Sequence, residues 1–356
     1  PSTIAAITSS SPLSTVKHFK FFGWDSDHAI AAAILNASSN PEDITFYIGI
    51  PNSVGDVFEA LNVSNIAALV AEWDDLKDNV YAIALTNEPG NIGTNFSLLP
   101  PKLEMVYSYL QSQNGWEHVH VSIPFCCIFG VTYPVPDSAF KAEYRAHLAE
   151  LIDIYERYGG VFSVNMYPFY VTQHEPQLLS YILGEEALEY SSMLAAQYVA
   201  TWYAMQEVAP NNSVEIIISE TGWSTSSPSF DFATLENAKS FYNNTFRQMK
   251  DPETDLYGVR IYAFELFDEN LKYGGDWEPY FGLYDLQAMP KWNLLPTQQP
   301  TTAPTLSMAT SLISTTLVST SVQLETTVDG ADEAHHPLPL TVFSAVITAT
   351  FVFHLL

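Results

Sequence analysis

Short apolar runs alternate along this chain with longer stretches in which apolar positions recur at helical spacing. The runs are His18–Trp24, Ile44–Ile50, Val80–Leu85, Val119–Ile123, Val161–Met166, Val214–Ile218 and Val259–Phe264. Some, such as Val214-Glu-Ile-Ile-Ile, are apolar almost without a break, as strands covered on both faces require. Between them, stretches such as Ala139–Arg157, Ala187–Glu207 and Asp231–Met249 have the length and spacing of amphipathic helices. Strand–helix alternation sustained from Lys17 to Trp292 predicts either a (β/α) barrel or a doubly wound sheet.

The polar residues separate these two folds. No Gly-x-Gly-x-x-Gly or Walker loop follows an early strand, so a nucleotide fold would have no phosphate cradle. Polar and aromatic residues gather instead at strand C-terminal ends, in Thr86-Asn-Glu-Pro, Asn165-Met-Tyr-Pro, Ser219-Glu-Thr-Gly-Trp and Glu265–Lys272. A TIM-type barrel carries its chemistry on that rim, and the barrel is the predicted architecture, with seven strands visible in the sequence.

Composition excludes several classes of function. Forty acidic against thirteen basic residues give a net charge of −27, which repels nucleic acid and anionic membrane surfaces. The two cysteines, Cys126 and Cys127, are adjacent, so no disulfide framework or cysteine-based zinc site is expected, and both read as small buried hydrophobes. His118 and His120 alternate on a strand, but no third ligand is placed beside them, and neither a metal nor any other cofactor is expected.

The C-terminal part has a different composition. From Thr297 to Val328 nearly half the residues are Ser or Thr, with Pro300 and Pro304 among them, which reads as an O-glycosylated stalk or a plain linker. Leu338–Leu356 is almost wholly apolar and is preceded by a short polar spacer and by Asp329, Gly330 and Ala331. That order is the pattern of a GPI-attachment signal, with Asp329 or Gly330 as the attachment residue. The alternative is a tail-anchored helix, although no basic flank follows it. Sequons at Asn36, Asn62, Asn95, Asn211 and Asn243 agree with the secretory route. The expected organisation is a barrel over residues 1–293, a stalk over 294–328 and an attachment signal over 329–356.

Glu88 and Glu220 each close an apolar run, and on a barrel they would face one another across the mouth. Glycosidic cleavage needs one carboxylic acid to protonate the leaving oxygen and one carboxylate at the anomeric carbon. Asn87 could hydrogen-bond a sugar hydroxyl or the partner carboxylate. Tyr167 and Trp223 offer flat faces for the C–H side of a pyranose ring.

Five segments, Leu85-Thr-Asn-Glu-Pro, Asn165-Met-Tyr-Pro-Phe-Tyr, Ile218-Ser-Glu-Thr-Gly-Trp-Ser, Phe267-Asp-Glu-Asn-Leu-Lys and Tyr280-Phe-Gly-Leu-Tyr, resemble in order the signature segments of glycoside hydrolase family 17. The resemblance spans about residues 2–293. It implies a (β/α)8 barrel and a retaining β-1,3-glucan hydrolase with Glu88 as general acid/base and Glu220 as nucleophile. It also implies a substrate-binding or supporting role for Asn87, Asn165, Tyr167, Trp223, Glu269, Lys272 and Phe281, with Lys272 holding a carboxylate charged. Transfer to a second glucan chain, another linkage specificity and a non-catalytic glucan-binding wall protein remain as alternatives. Against the family pattern, Val16–Asp25 matches the second strand and Asp43–Asn52 the third, with Ser2–Ser9 as a remnant of the first helix. The first strand has no counterpart. The chain is therefore expected to be an N-terminally incomplete, monomeric, secreted protein, held at the cell surface or wall by its lipid anchor. Two barrel edges would be left unpaired.

Overall fold

The computed structural model describes residues 16–50, 61–293 and 352–354. Its parallel strands are β1 (His18–Lys20), β2 (Thr45–Gly49), β3 (Val80–Ala84), β4 (His120–Ser122), β5 (Pro124–Phe125), β8 (Val161–Asn165), β9 (Glu215–Thr221) and β10 (Ile261–Phe264). A short hairpin, β6 (Phe129–Val131) with β7 (Ala139–Phe140), follows β5. Antiparallel β11 (Val352–His354) lies between β1 and β10.

These strands form a ring. β4 pairs with β3 and β5 pairs with β8, yet β4 and β5 are two halves of one strand broken only at Ile123. The sheet order β4-β3-β2-β1-β11-β10-β9-β8-β5 therefore closes on itself as an eight-membered barrel, one member of which runs antiparallel. The two expected free edges, on β1 and β10, are both paired with β11. The remaining residues of the stalk and attachment signal, and those of the first-helix remnant, lie outside the described part of the chain, as do Pro51 and Asn52 of the third-strand match.

The apolar runs become strands because they are covered twice, by helices outside and by side chains within the ring. Phe19 and Phe21 point outward, where Phe21 meets Phe46 and Trp73, while His18 and Lys20 take the opposite face. Inside, the Tyr47 hydroxyl meets Ser122 and Ser163, and its ring lies 5.6 Å from that of Tyr262. The polar strand residues Ser122 and Ser163 thus serve as partners for a buried phenol.

The first run is shorter than its apolar pattern predicts, because Trp24 begins a helix, Trp24–Ala37, rather than ending the strand. Helices at Arg145–Tyr158, Met193–Val208 and Leu235–Lys250 answer the three predicted ones. The first starts later than its apolar spacing suggests, since Ala139 and Phe140 pair in the hairpin instead. Thr234 caps Leu235–Lys250 by accepting from Asn237 N–H, and Arg247 and Lys250 sit at its negative end. Its buried stripe, Ala238, Phe241, Tyr242, Thr245, Phe246 and Met249, repeats at three and four residues and faces the barrel.

Candidate active site

The C-terminal strand ends open into a cleft of about 690 Å³ whose wall includes Glu88 and Glu220. β9 carries Glu220 in extended backbone, 5% exposed, in register with Asn165 of β8. Glu88 follows β3 at φ +52, in the left-handed region that residues with a side chain rarely adopt. Its N–H donates to Pro124 O at 2.8 Å and its carbonyl accepts from Asn91 N–H at 2.9 Å, so a tight turn tied to β5 holds it.

The two carboxylates have different partners. Lys20 Nζ lies 2.7 Å from Glu220 Oε1, and the Tyr167 hydroxyl donates to Oε2 at 3.0 Å. Glu88 Oε1 accepts from Asn165 Nδ2 at 3.0 Å, and Oε2 lies 3.5 Å from Asn91 Nδ2. The Asn165 amide is oriented from behind, its oxygen accepting from Ser219 Oγ at 2.7 Å. Burial and the charge of Glu220 raise the Glu88 pKa above the ordinary glutamate value, against the hydrogen bond from Asn165 and the positive charge of Lys20.

Lys20 was not among the residues anticipated from sequence. It is 1% exposed and sits inside the ring, its ammonium 5.4 Å from the centre of the Tyr47 ring and 4.8 Å from that of Phe22. Burial lowers its pKa from the ordinary lysine value, while Glu220 and Glu88 oppose that shift. The available signal was a cation within an apolar strand run; its partner lies 200 residues away in sequence.

Of the anticipated residues, Asn87, Asn165, Tyr167, Lys272 and Phe281 line the cleft with the two glutamates. Asn87 Oδ1 accepts from Asn165 Nδ2 at 3.3 Å. Tyr167 presents its hydroxyl to Glu220, and its ring stands edge-on to Phe264 and Phe281. Phe281 is 1% exposed and backs the wall from beneath. Lys272 pairs with Glu269 at 3.1 Å, Glu265 at 3.7 Å and Glu278 at 3.9 Å. Glu269 is buried and pairs with Lys272.

Two expectations need correction. Trp223 is fully buried, boxed by Phe169, Phe232 and Phe241, with its indole N–H donating to Phe232 O at 3.1 Å. Gly222 passes so close to β10 that a Cβ there would stand 2.1 Å from Phe264 O, and the chain then turns Trp223 into the core, with no ring face for a sugar. Cys127, read from sequence as a buried hydrophobe, is exposed, and Cys126 is half-buried. Among the histidines, His120 is tied to Gly159 O at 2.7 Å and His118 is exposed. The asparagines of all five sequons are exposed.

The family model for "Glycosyl hydrolases family 17" matches residues 83–295. The chain is 28% identical over 237 residues to the acidic isoform PR-N of glucan endo-1,3-beta-glucosidase from Nicotiana tabacum, covering 64% of this chain and 85% of that protein. It is 29% identical over 233 residues to glucan endo-1,3-beta-glucosidase A from Solanum lycopersicum, covering 62% and 68%. Among solved structures, CJP38, a beta-1,3-glucanase and allergen of Cryptomeria japonica pollen, superposes with a TM-score of 0.70 at 23% identity, over 82% of this chain and 94% of that one. A plant beta-glucan endohydrolase superposes with a TM-score of 0.63 at 22% identity, over 81% and 94%.

Proposed function

This chain belongs to glycosyl hydrolase family 17 and is a glycoside hydrolase; from that premise we propose that it cleaves β-1,3-glucan by double displacement, with Glu220 as nucleophile and Glu88 as general acid and then base. The observation that carries the reading is the pair of carboxylates on one cleft in opposite surroundings. Glu220, held by the Lys20 ammonium and the Tyr167 hydroxyl, is the group placed to attack the anomeric carbon. Glu88, whose pKa is raised by burial and by the charge of Glu220, is the group placed to protonate the departing oxygen.

The same coupling lets Glu88 change role. Once Glu220 is esterified to the sugar its negative charge is gone, and the repulsion that holds the proton on Glu88 goes with it. Glu88 then takes a proton from the incoming water, which attacks the anomeric carbon and frees Glu220. Phe22, Tyr167 and Tyr170 on the cleft wall supply apolar surface for sugar C–H faces, and a neutral polysaccharide suits a protein of charge −27.

The reading extends to location: a secreted glycoprotein, held at the cell surface or wall by a GPI anchor at Asp329 or Gly330, whose attachment removes the tail that follows and with it β11. The five exposed sequon asparagines, the Ser/Thr-rich stretch and the apolar tail support it.

The test is NMR of the first anomer released from a soluble β-1,3-glucan. The β anomer is expected first, the outcome of a retaining double displacement. The α anomer first would overturn the mechanism, and products longer than the substrate would make transfer the main reaction.

A further inference from the structure

Cys126 and Cys127 stand on the cleft wall beside Glu88, at the end of β5, and the hydrolytic chemistry does not use them. The single S–H of Cys126 has two acceptors in reach, the Glu88 carboxylate and the Cys127 sulfur. Cys127 is exposed to solvent and Cys126 is half-buried behind it. The turn that carries them packs against the turn that carries Glu88. A Cβ on Gly90 would stand 2.8 Å from Cys126 O, so the two segments touch backbone to backbone just after the acid.

We propose that Cys126 and Cys127 are a reversible oxidation site: a hydroperoxide converts them to a vicinal disulfide, which impairs Glu88 and slows the enzyme. Cys127 is the attacking thiol. It is the more exposed of the two, and the hydrogen bond from Cys126 lowers its pKa to about 7, against burial and the charge of Glu88. Cys126, whose proton is held by the same bond and by burial, is the resolving thiol.

The Cys127 thiolate attacks the outer peroxide oxygen and the O–O bond breaks. The alkoxide or hydroxide takes up a proton, and Cys127 becomes a sulfenic acid. Cys126 then attacks the Cys127 sulfur and loses its proton, and the S–O bond breaks to release water. The two sulfurs give up two electrons and the peroxide accepts them.

Adjacent α-carbons are only about 3.8 Å apart, closer than in ordinary disulfides, so the product is strained and readily reduced. Two effects then reach Glu88. It loses the S–H donor, and closing the ring shifts the Cys126–Cys127 backbone, which moves the Gly90 segment against it.

The activity readout rests on the proposed role of Glu88, whereas the chemical readout does not. The full chain is treated with hydrogen peroxide, and free thiols, intact mass and hydrolysis of a soluble β-1,3-glucan are followed before and after dithiothreitol. Peptide mapping should show loss of two hydrogens within the 126–127 peptide, with activity down by about fivefold, the worth of one lost hydrogen bond. Dithiothreitol should reverse both. Cys127→Ser should keep the same activity with and without peroxide, whatever its starting level.

Free thiols that persist through treatment would overturn the proposal. So would a disulfide that leaves activity unchanged, or an equal loss in Cys127→Ser. An untreated, reduced protein that fails to hydrolyse the glucan would instead overturn the proposed function, and the mass change would still report the thiol chemistry.

Discussion

Glu88 and Glu220 are the same residue on the same rim, and the protein treats them in opposite ways. Glu220 belongs to a strand: its backbone is extended, its side chain is buried, and it is bound by Lys20 of β1 and by Tyr167 just after β8. Glu88 belongs to a turn, at φ +52, half-buried, with the amides Asn165 and Asn91 and the thiol of Cys126 around it. Burial and the second carboxylate raise the pKa of Glu88, against the hydrogen bond from Asn165, whereas Glu220 is held by an ammonium and a phenol. The neighbours, rather than the glutamates themselves, set the two apart.

The most severe way to break this comparison is to remove one of its members. Glu220→Ala should lower kcat by about 10⁴-fold or more, the scale on which loss of a nucleophile is felt. Substrate binding, followed by titration of the inactive protein with a β-1,3-glucan oligomer, should persist. Hydrolysis that survives the change would take Glu220 out of its role.

Next in size is the removal of what makes Glu220 different. Lys20→Met keeps the length of the side chain and deletes the charge. It should cost roughly 10²-fold in kcat, the range for losing one strong electrostatic contact at a reacting group. It should also cost about 3–5 kcal/mol of stability near neutral pH, because the Glu220 carboxylate is left buried without its partner. The sign with pH is fixed. An unpaired buried carboxylate costs less as acid neutralises it, so the penalty is full near neutral pH and shrinks toward low pH. Thermal denaturation of both proteins across pH 4–8 reads this directly; a constant gap in Tm would mean that Lys20 acts by packing alone. Lys20→Arg, which keeps the charge, should recover part of both losses.

The contrast also explains what sequence could disclose. Glu88 and Glu220 were legible because each follows an apolar strand run, and the C-terminal ends of parallel barrel strands all lie on one rim. Lys20 was not, since a lysine in a strand is recognisable as internal only when its counter-charge is known, and that lies on a strand remote in sequence. Trp223 misled for the opposite reason. An aromatic beside a catalytic glutamate suggests a sugar platform, but its direction is set by the passage of Gly222 against Phe264, a tertiary contact. The barrel was legible from strand–helix alternation, whereas the pairing of Val352–His354 with β1 and β10 joins segments far apart in sequence and has no local signal.

The mildest test sharpens the comparison at Glu88. Asn165 sits in register beside Glu220 but gives its N–H to Glu88, so it joins the two environments. That hydrogen bond favours the ionised form of Glu88 and partly offsets the upward shift caused by burial and by Glu220. Asn165→Ala removes the offset, and the Glu88 pKa should rise further. Because the acid must be protonated to act, the alkaline limb of the kcat/KM profile should move to higher pH, while the rate on the plateau falls by about tenfold as the carboxyl loses its orientation. A variant that only loosened the fold would lower the plateau and leave the limb in place. A limb that moved to lower pH would mean that a group other than Glu88 supplies the proton.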